Sequence, residues 1–306
     1  MSWIAVTPFA LWAAVRVSGF EPDWPWVPVV AYTPYAAGAA ALGGVLALLL
    51  RRPAAGTVAL VTLLTLVPLV LPRALADGNP GADGPVLRVL AANLLVGQAD
   101  TAELMGLVRR LRPDVLTLQE FTPAARRRLE EAGVREALPY AATRAREGVG
   151  GSAVYARHPL TPGPAIAYGG FGQARAWLRH PGGAKVEIVS VHPCAPRRYG
   201  RQPCWNAGLA ALPRGGGALR VLAGDFNATL DHLPMRELLA AGYRDAADVT
   251  GHGLTATWPQ EGSTQRLPGV TIDHVLASAA MAVRGYAVLS LRRTDHRPVF
   301  AELRLP

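Results

Sequence analysis

The chain has 306 residues, half of them apolar and only 17% charged, with a formal net charge of +9. Six charges (Arg16, Glu21, Asp23, Arg51, Arg52 and Arg73) fall in the first 76 positions, which excludes one uniformly soluble protein, while the polar stretch Arg109 to Glu147 excludes a bundle lying wholly in lipid. The basic excess is a weak sign of nucleic acid, because it consists of 30 arginines and a single lysine, Lys185, beside a surplus of Ala, Gly, Pro and Leu that suggests coding bias.

Residues 1–76 read as a membrane region of three helices at about 2–20, 27–50 and 54–72, with two spans as the alternative. Val27 to Leu50 holds 24 uncharged residues, about 36 Å at ~1.5 Å per residue, and Ala54 to Leu71 holds 18, about 27 Å. The first segment ends at Arg16, whose stem is expected to snorkel to the headgroups; it lacks a basic start and a small-residue cleavage site, so a retained helix is expected over a removable signal peptide. Arg51 and Arg52 lie between the second and third segments, and Glu21-Pro-Asp-Trp-Pro-Trp26 between the first and second. The positive-inside rule then puts Arg51 and Arg52 in the cytoplasm and the rest of the chain outside a multi-pass cell-membrane anchor, with Arg16 and Arg73 voting weakly the other way. Residues 77–85 are a turn-former cluster and read as a linker.

From Val86 on, short apolar runs alternate with turns and a few helices. Val86 to Ala92 ends at Asn93, and Asp100-Thr-Ala-Glu103 caps a helix with Leu104, Leu107, Val108 and Leu111 on one face, ended by Pro113. Val115 to Gln119 delivers Glu120, Val186 to Val191 delivers His192, Leu219 to Ala223 delivers Asp225 and Asn227, and Val270 to Ile272 delivers Asp273 and His274; Asp295 and His296 precede a last strand, Pro298 to Leu305. Each is alone a common turn or cap, but together they are how a sheet scaffold gathers a site. Hard carboxylate and amide oxygens without cysteine favour Mg²⁺ or Mn²⁺ over zinc, and no zinc-like Cys/His spacing occurs. Cys194 and Cys204, ten positions apart, are either a disulfide or two free thiols.

These residues stand in motifs: Leu-Ala-Ala-Asn93, Leu-Gln-Glu120, Gly-Ser-Ala-Val-Tyr-Ala-Arg-His-Pro-Leu at 151–160, Val-His192, Gly-Asp-Phe-Asn at 224–227, Thr-Ala-Thr-Trp-Pro at 255–259, Ile-Asp-His-Val at 272–275 and Thr-Asp-His-Arg-Pro-Val at 294–299. In that order the set resembles the endonuclease/exonuclease/phosphatase superfamily, the DNase I-like fold, over residues 86–306. The resemblance implies an α+β, four-layer αββα sandwich behind the N-terminal helices, and metal-dependent phosphoester cleavage. It makes Glu120 the principal Mg²⁺ or Mn²⁺ ligand, completed or supported by Asn93 and Asp295. Asp225 would position or deprotonate the water, Asn227 hold water and phosphate, and His192 contact the phosphate, with Asp273 orienting the catalytic imidazole of His296. The substrate class stays open among nucleic acid, phospholipid headgroup and small phosphate ester; the membrane is engaged through the N-terminal helices, and nothing points to a protein partner. A catalytically idle binding module on the same fold is the other reading.

The chain departs from the abasic-DNA nucleases in showing no assignable nucleotide-covering tyrosine between Gly163 and Gly183. Its loop from Pro193 to Trp205 reads as a lid on which Arg197, Arg198 and Arg201 either grip a substrate phosphate or are merely solvated. Arg126 to Arg128 read as a wet helix face, Trp177, Trp205 and Trp258 as core or rim aromatics, and His158, His180, His232 and His252 match no motif. His274 stays unassigned.

Overall fold

The computed structural model describes residues 2–306 except 261, 262, 264 and 265. Four helices come first: α1 (Ser2–Ser18), α2 (Trp26–Val30), α3 (Thr33–Leu49) and α4 (Pro53–Val70). Then follow β1 (Val86–Asn93), α5 (Thr101–Leu111), β2 (Val115–Gln119), α6 (Pro123–Glu131), α7 (Val134–Ala137), β3 (Tyr140–Arg144) and β4 (Ser152–Ala156). The second half runs β5 (Leu160–Pro162), β6 (Ile166–Tyr168), β7 (Phe171–Gln173), β8 (Arg175–Arg179), β9 (Lys185–Val191), α8 (Gln202–Ala210), β10 (Leu219–Asp225), α9 (Leu233–Ala240), β11 (Tyr243–Asp245), α10 (Ala246–Val249) and β12 (Asp273–Ser278). The chain ends with β13 (Ala282–Val288) and β14 (Val299–Arg304).

Two six-stranded sheets form, in the orders β13-β14-β1-β2-β4-β3 and β11-β12-β10-β9-β8-β5. The strand period of two sorts the side chains between layers. Leu87, Val89, Ala91, Val221, Ala223, Val275 and Ala277 point between the sheets into one core. Their neighbours Leu90 and Ala92 face outward with Leu104, Leu107, Val108 and Leu129 of α5 and α6, and Leu222 and Leu276 meet Trp205, Leu209, Met235 and Leu238 of α8 and α9. The layers are helix, sheet, sheet, helix. Asp100 caps α5 through the Glu103 N–H at 3.0 Å, as its sequence requires.

At the N-terminus α1, α3 and α4 pack on one another. Gly43 lies so close to the Ala5 carbonyl that a Cβ there would overlap it, a small-residue approach of two helices. The other faces stay apolar and exposed: Ile4 is 78% exposed, Leu42 73%, Leu49 75% and Leu64 67%. Among the described residues one helix, Pro53–Ala74, with 22 residues and a mean hydropathy of 2.3, is long and apolar enough to cross a membrane; Ser2–Ser18 and Thr33–Leu49 are apolar but shorter. The continuous span expected at 27–50 is broken into α2, a turn at Ala31 and Tyr32, and α3, because Pro34 favours a fresh helix start.

Arg16 does not snorkel. Its Nε reaches Asp231 Oδ1 at 3.1 Å, while Arg73 grips the same carboxylate through Nη1 and Nη2 at 2.7 and 2.9 Å, and all three side chains are buried. Both arginines thus share one carboxylate of the sandwich. The neutral His232, whose pKa burial lowers, donates from Nε2 to the Val27 carbonyl at 2.8 Å and accepts the Thr229 N–H at Nδ1. Glu21 accepts the Leu233 N–H at 3.0 Å. Residues 77–85 contain no helix or strand, as a linker should, yet they are strapped down: Asn79 exchanges two hydrogen bonds of 2.8 Å with the Val283 backbone, and the Gly84 N–H reaches Leu305 at 2.9 Å.

Candidate active site

The parallel pairs β1 with β2 and β9 with β10 bring Asn93 beside Gln119 and Gly224 beside Val191, so four strand C-terminal ends share one rim. Antiparallel β12 pairs Asp273 with Asp225, so this carboxylate enters from the start of its strand and not, as the sequence suggested, from the end of the run before it. Gly224 has φ 145°, and a Cβ there would strike the Val191 carbonyl and the Gln119 amide; the Gly-Asp-Phe-Asn motif needs its glycine for the close approach. Glu120 and Asn227 both hold left-handed φ, 54° and 50°, a conformation Asn accepts readily and Glu rarely.

All eight motif residues converge, and one oxygen, Asp225 Oδ2, is their hub. Asn93 Nδ2 lies 3.0 Å from it, Asn227 Nδ2 3.4 Å, His192 Nε2 3.5 Å and His296 Nε2 3.6 Å. Asp225 Oδ1 accepts the Asn227 N–H at 2.8 Å. Asn93 turns its amide nitrogen to Asp225 and, at 3.4 Å, to Glu120, because its oxygen accepts the Leu95 N–H at 3.0 Å. Glu120 is held by the Val96 N–H at 2.6 Å and lies 3.9 Å from His192 Nε2.

Asp273 grasps Nδ1 of His296 with both oxygens, at 3.1 and 3.0 Å. Burial alone would lower the imidazole's pKa, but the neighbouring Asp273 and Asp225 carboxylates outweigh it and raise His296 to about 10. Burial lifts Asp273 as well; the imidazole is the stronger base, so the shared proton rests on His296. One oxygen of Asp295 accepts from Trp258 Nε1 at 2.9 Å, while Oδ1 is buried without a hydrogen-bond partner among the described residues. A buried anionic oxygen with no donor fits a bound cation. Asp225, Asp273 and His296 also present ligand atoms within 4.8 Å of one another. A protonated imidazole offers no lone pair, so His296 itself is a poor ligand in that state, and the oxygens of Glu120 and of Asp295, whose Oδ1 lies 3.9 Å from His296 Nε2, are the better donors.

Some supporting residues carried little sequence signal. Gln119 and Ser190 tie the two sheets beneath the site at 2.9 Å, the Gln173 side chain accepts the His192 N–H at 3.1 Å, and Thr257 Oγ1 accepts the Asp273 N–H at 3.0 Å. Trp258, read as a rim aromatic, orients Asp295. His274 is buried with Nδ1 2.6 Å from Asp245 and Nε2 2.9 Å from the Ala228 carbonyl, so it braces the loop that carries Asn227. Burial opposes its charge, but Asp245 more than compensates and its pKa is raised. The stability this pair supplies is therefore complete below the unfolded histidine pKa of about 6.5 and is lost as pH rises through the higher folded value. Urea unfolding should find His274→Gln about 3–5 kcal/mol less stable than wild type near pH 6, with the gap narrowing at alkaline pH.

Cys194 and Cys204 form a disulfide, with Cα atoms 5.8 Å apart, that closes the loop after His192. Reduction should cost about 3 kcal/mol of unfolding free energy, measured with and without reductant in the wild type and unaffected by reductant in Cys194→Ser/Cys204→Ser. On that loop Arg197 lies over the Trp258 ring at 5.5 Å. Arg198 and Arg201 are exposed, and no contact joins either to the cluster among the described residues.

An αββα sandwich with acids, amides and paired histidines on one rim defines the DNase I-like class. The chain belongs to the endonuclease/exonuclease/phosphatase family, whose family model matches residues 90–296 and whose members hydrolyse phosphoester bonds. Among solved structures it is similar to an endonuclease/exonuclease/phosphatase protein from Beutenbergia cavernae (19% identity, TM-score 0.55, 72% of each chain covered). It is also similar to truncated Caenorhabditis elegans TDP2 (16%, 0.54, 73% of this chain and 100% of that one) and to D. rerio TDP2 complexed with single strand DNA product (16%, 0.55, 72% and 99%). At these identities the likeness is one of fold. No curated protein matches.

Proposed function

We propose that the protein is a membrane-anchored, divalent-metal-dependent phosphoesterase that cleaves its substrate by attack of water, with the sandwich on the outer face of the membrane. The observation that carries the chemistry is the convergence of four side-chain nitrogens, from Asn93, Asn227, His192 and His296, on Asp225 Oδ2, beside a buried Asp295 Oδ1 that accepts no hydrogen bond among the described residues. Glu120 and Asp295, with Asn93 behind them, would hold Mg²⁺ or Mn²⁺, which when bound supplies a Lewis acid for the phosphoryl oxygen.

The chain's own residues divide the remaining work. Asp225 orients the water and accepts its proton; Asn227, fixed by Asp225 and by the Pro193 carbonyl at 3.3 Å, holds the water against the phosphorus. His296 stays an imidazolium at neutral pH, and its Nε2–H offers a charged hydrogen bond to the oxygen on which negative charge grows. His192 gives a second donor from Nε2, and Phe171, edge-on to its ring at 5.1 Å, holds the ring in place.

Anchoring is supported by the exposed apolar faces of α1, α3 and α4. The end of α1 and the end of the helix at Arg73 meet Asp231, which leaves the Arg51-Arg52 turn at the far end of the bundle from the sandwich. The positive-inside rule then favours an outer sandwich, and the disulfide suits an oxidising compartment.

The full-length protein should release 4-nitrophenol from bis(4-nitrophenyl) phosphate with Mg²⁺ or Mn²⁺ and stop on chelation. Wild-type rates no higher than Glu120→Ala or His296→Ala across DNA, RNA, phospholipid and inositol phosphates would contradict the enzyme reading. A reporter enzyme fused after Pro306 that works only in the cytoplasm would contradict the orientation.

A further inference from the structure

Between the helical region and the sandwich lies a cavity of about 310 Å³, at the small end of ligand pockets. Its walls are mainly apolar. Val29 and Tyr32 come from α2 and the turn before α3; Trp258, Val270 and Ile272 come from the sandwich; Asn227 and Arg197 close one end. The cavity is therefore built by both parts of the chain, and the contacts among Asp231, Arg16, Arg73, His232 and Val27 hold those parts in register around it.

One of its residues belongs to the catalytic cluster and another holds a member of it. Asn227 lies 3.4 Å from Asp225 Oδ2, and Trp258 donates to Asp295 at 2.9 Å. The slot thus adjoins the catalytic cluster and is walled on the other side by residues of α2 and the turn after it. Arg197, set over Trp258, brings a cation to the junction where a phosphate would meet an apolar chain. A nucleic acid would bring a base whose edges carry hydrogen-bonding groups, and Val29, Val270 and Ile272 offer those edges no partner.

We infer, resting on the phosphoesterase reading above, that the substrate is a membrane amphiphile: its phosphoester lies at Asp225 and its apolar chain lies in the slot between Tyr32 and Trp258. The N-terminal helices then form part of the substrate site as well as the anchor. Water adds at phosphorus and gives one proton to Asp225, the ester P–O bond breaks, and the leaving oxygen takes the Nε2 proton of His296 to depart as the alcohol or headgroup, the proton on Asp225, 3.6 Å away, restoring the imidazolium.

The test uses full-length protein in nanodiscs and a series of 4-nitrophenyl alkyl phosphodiesters from ethyl to octyl, each below its micelle concentration. kcat/KM should rise by about fourfold per added methylene until the slot is filled. In Val29→Trp, which fills the slot, the rise should flatten; partition into the bilayer is the same for both proteins and so cannot cause that difference. An octyl probe carrying a diazirine at its chain end should label residues 27–32 in the wild type, a readout independent of any variant's folding. A flat wild-type series, an unchanged slope in Val29→Trp with labelling elsewhere, or a higher kcat/KM on a single-stranded oligonucleotide than on the octyl ester would overturn the slot. No hydrolysis at any chain length would overturn the phosphoesterase reading itself, and the slot with it.

Discussion

Asp225→Asn should lower kcat on a phosphodiester by about 10²–10⁴-fold, the usual worth of a positioned proton acceptor, with a smaller change in KM. The substitution keeps the shape and removes the charge. Asp225 Oδ2 is approached by four side-chain nitrogens, from Asn93, Asn227, His192 and His296, and Oδ1 accepts the Asn227 backbone N–H. An amide can place its oxygen toward only one of these sides and must point an NH₂ at donors on the other, a cost of about 1–3 kcal/mol in the fold. Activity should therefore fall far more than stability. Equal kcat values for wild type and variant, measured at saturating substrate, would remove Asp225 from the chemistry.

Asp231→Ala is the variant expected to damage the architecture most. It removes one carboxylate that two buried guanidinium groups share, leaving Arg16 and Arg73 charged and unpaired where water does not reach. Breaking a buried ion pair from one side costs about 3–5 kcal/mol, and here two cations are stranded. Protease treatment near residues 77–85 should separate helices from sandwich more readily in the variant than in the wild type. Arg16→Met/Arg73→Met/Asp231→Leu removes all the charges together and should recover much of the loss. If the triple variant is as unstable as Asp231→Ala, packing and not stranded charge holds the two parts together.

The candidate rim was legible because its residues sit at the ends of apolar runs, and parallel pairing of β1 with β2 and of β9 with β10 brings such ends to one edge. Asn93, Glu120, His192, Asp225, Asn227, Asp295 and His296 were singled out in that way, and folding brings them together. Asp273 was found for a partly wrong reason: Val270 to Ile272 is not its strand, since β12 begins at Asp273 itself. The partners that fix these groups were less legible. Thr257, Gln173 and Ser190 are ordinary strand or loop residues until folding brings them within 3.1 Å of their targets, separated by 16, 19 and 71 positions.

Long-range charge pairing escaped the sequence entirely. Arg16 and Arg73 looked like membrane-boundary residues because hydropathy is a local quantity, whereas their partner stands 215 and 158 positions away. His232 and Glu21 were silent for the same reason. Periodicity is equally blind to the break at Ala31 and Tyr32, where the residues on either side are as apolar as those of a continuous span. That break supplies a wall of the cavity beside Asn227.

The central claim is that this rim directs water to phosphorus. The most direct measurement is mass spectrometry of the product formed by the full-length protein with Mg²⁺ from bis(4-nitrophenyl) phosphate in ¹⁸O-labelled water. One ¹⁸O per turnover in the phosphoryl product, with none in 4-nitrophenol and no labelled product from Glu120→Ala, is the expected result. Label in the 4-nitrophenol, or equal labelled product from wild type and Glu120→Ala, would contradict it.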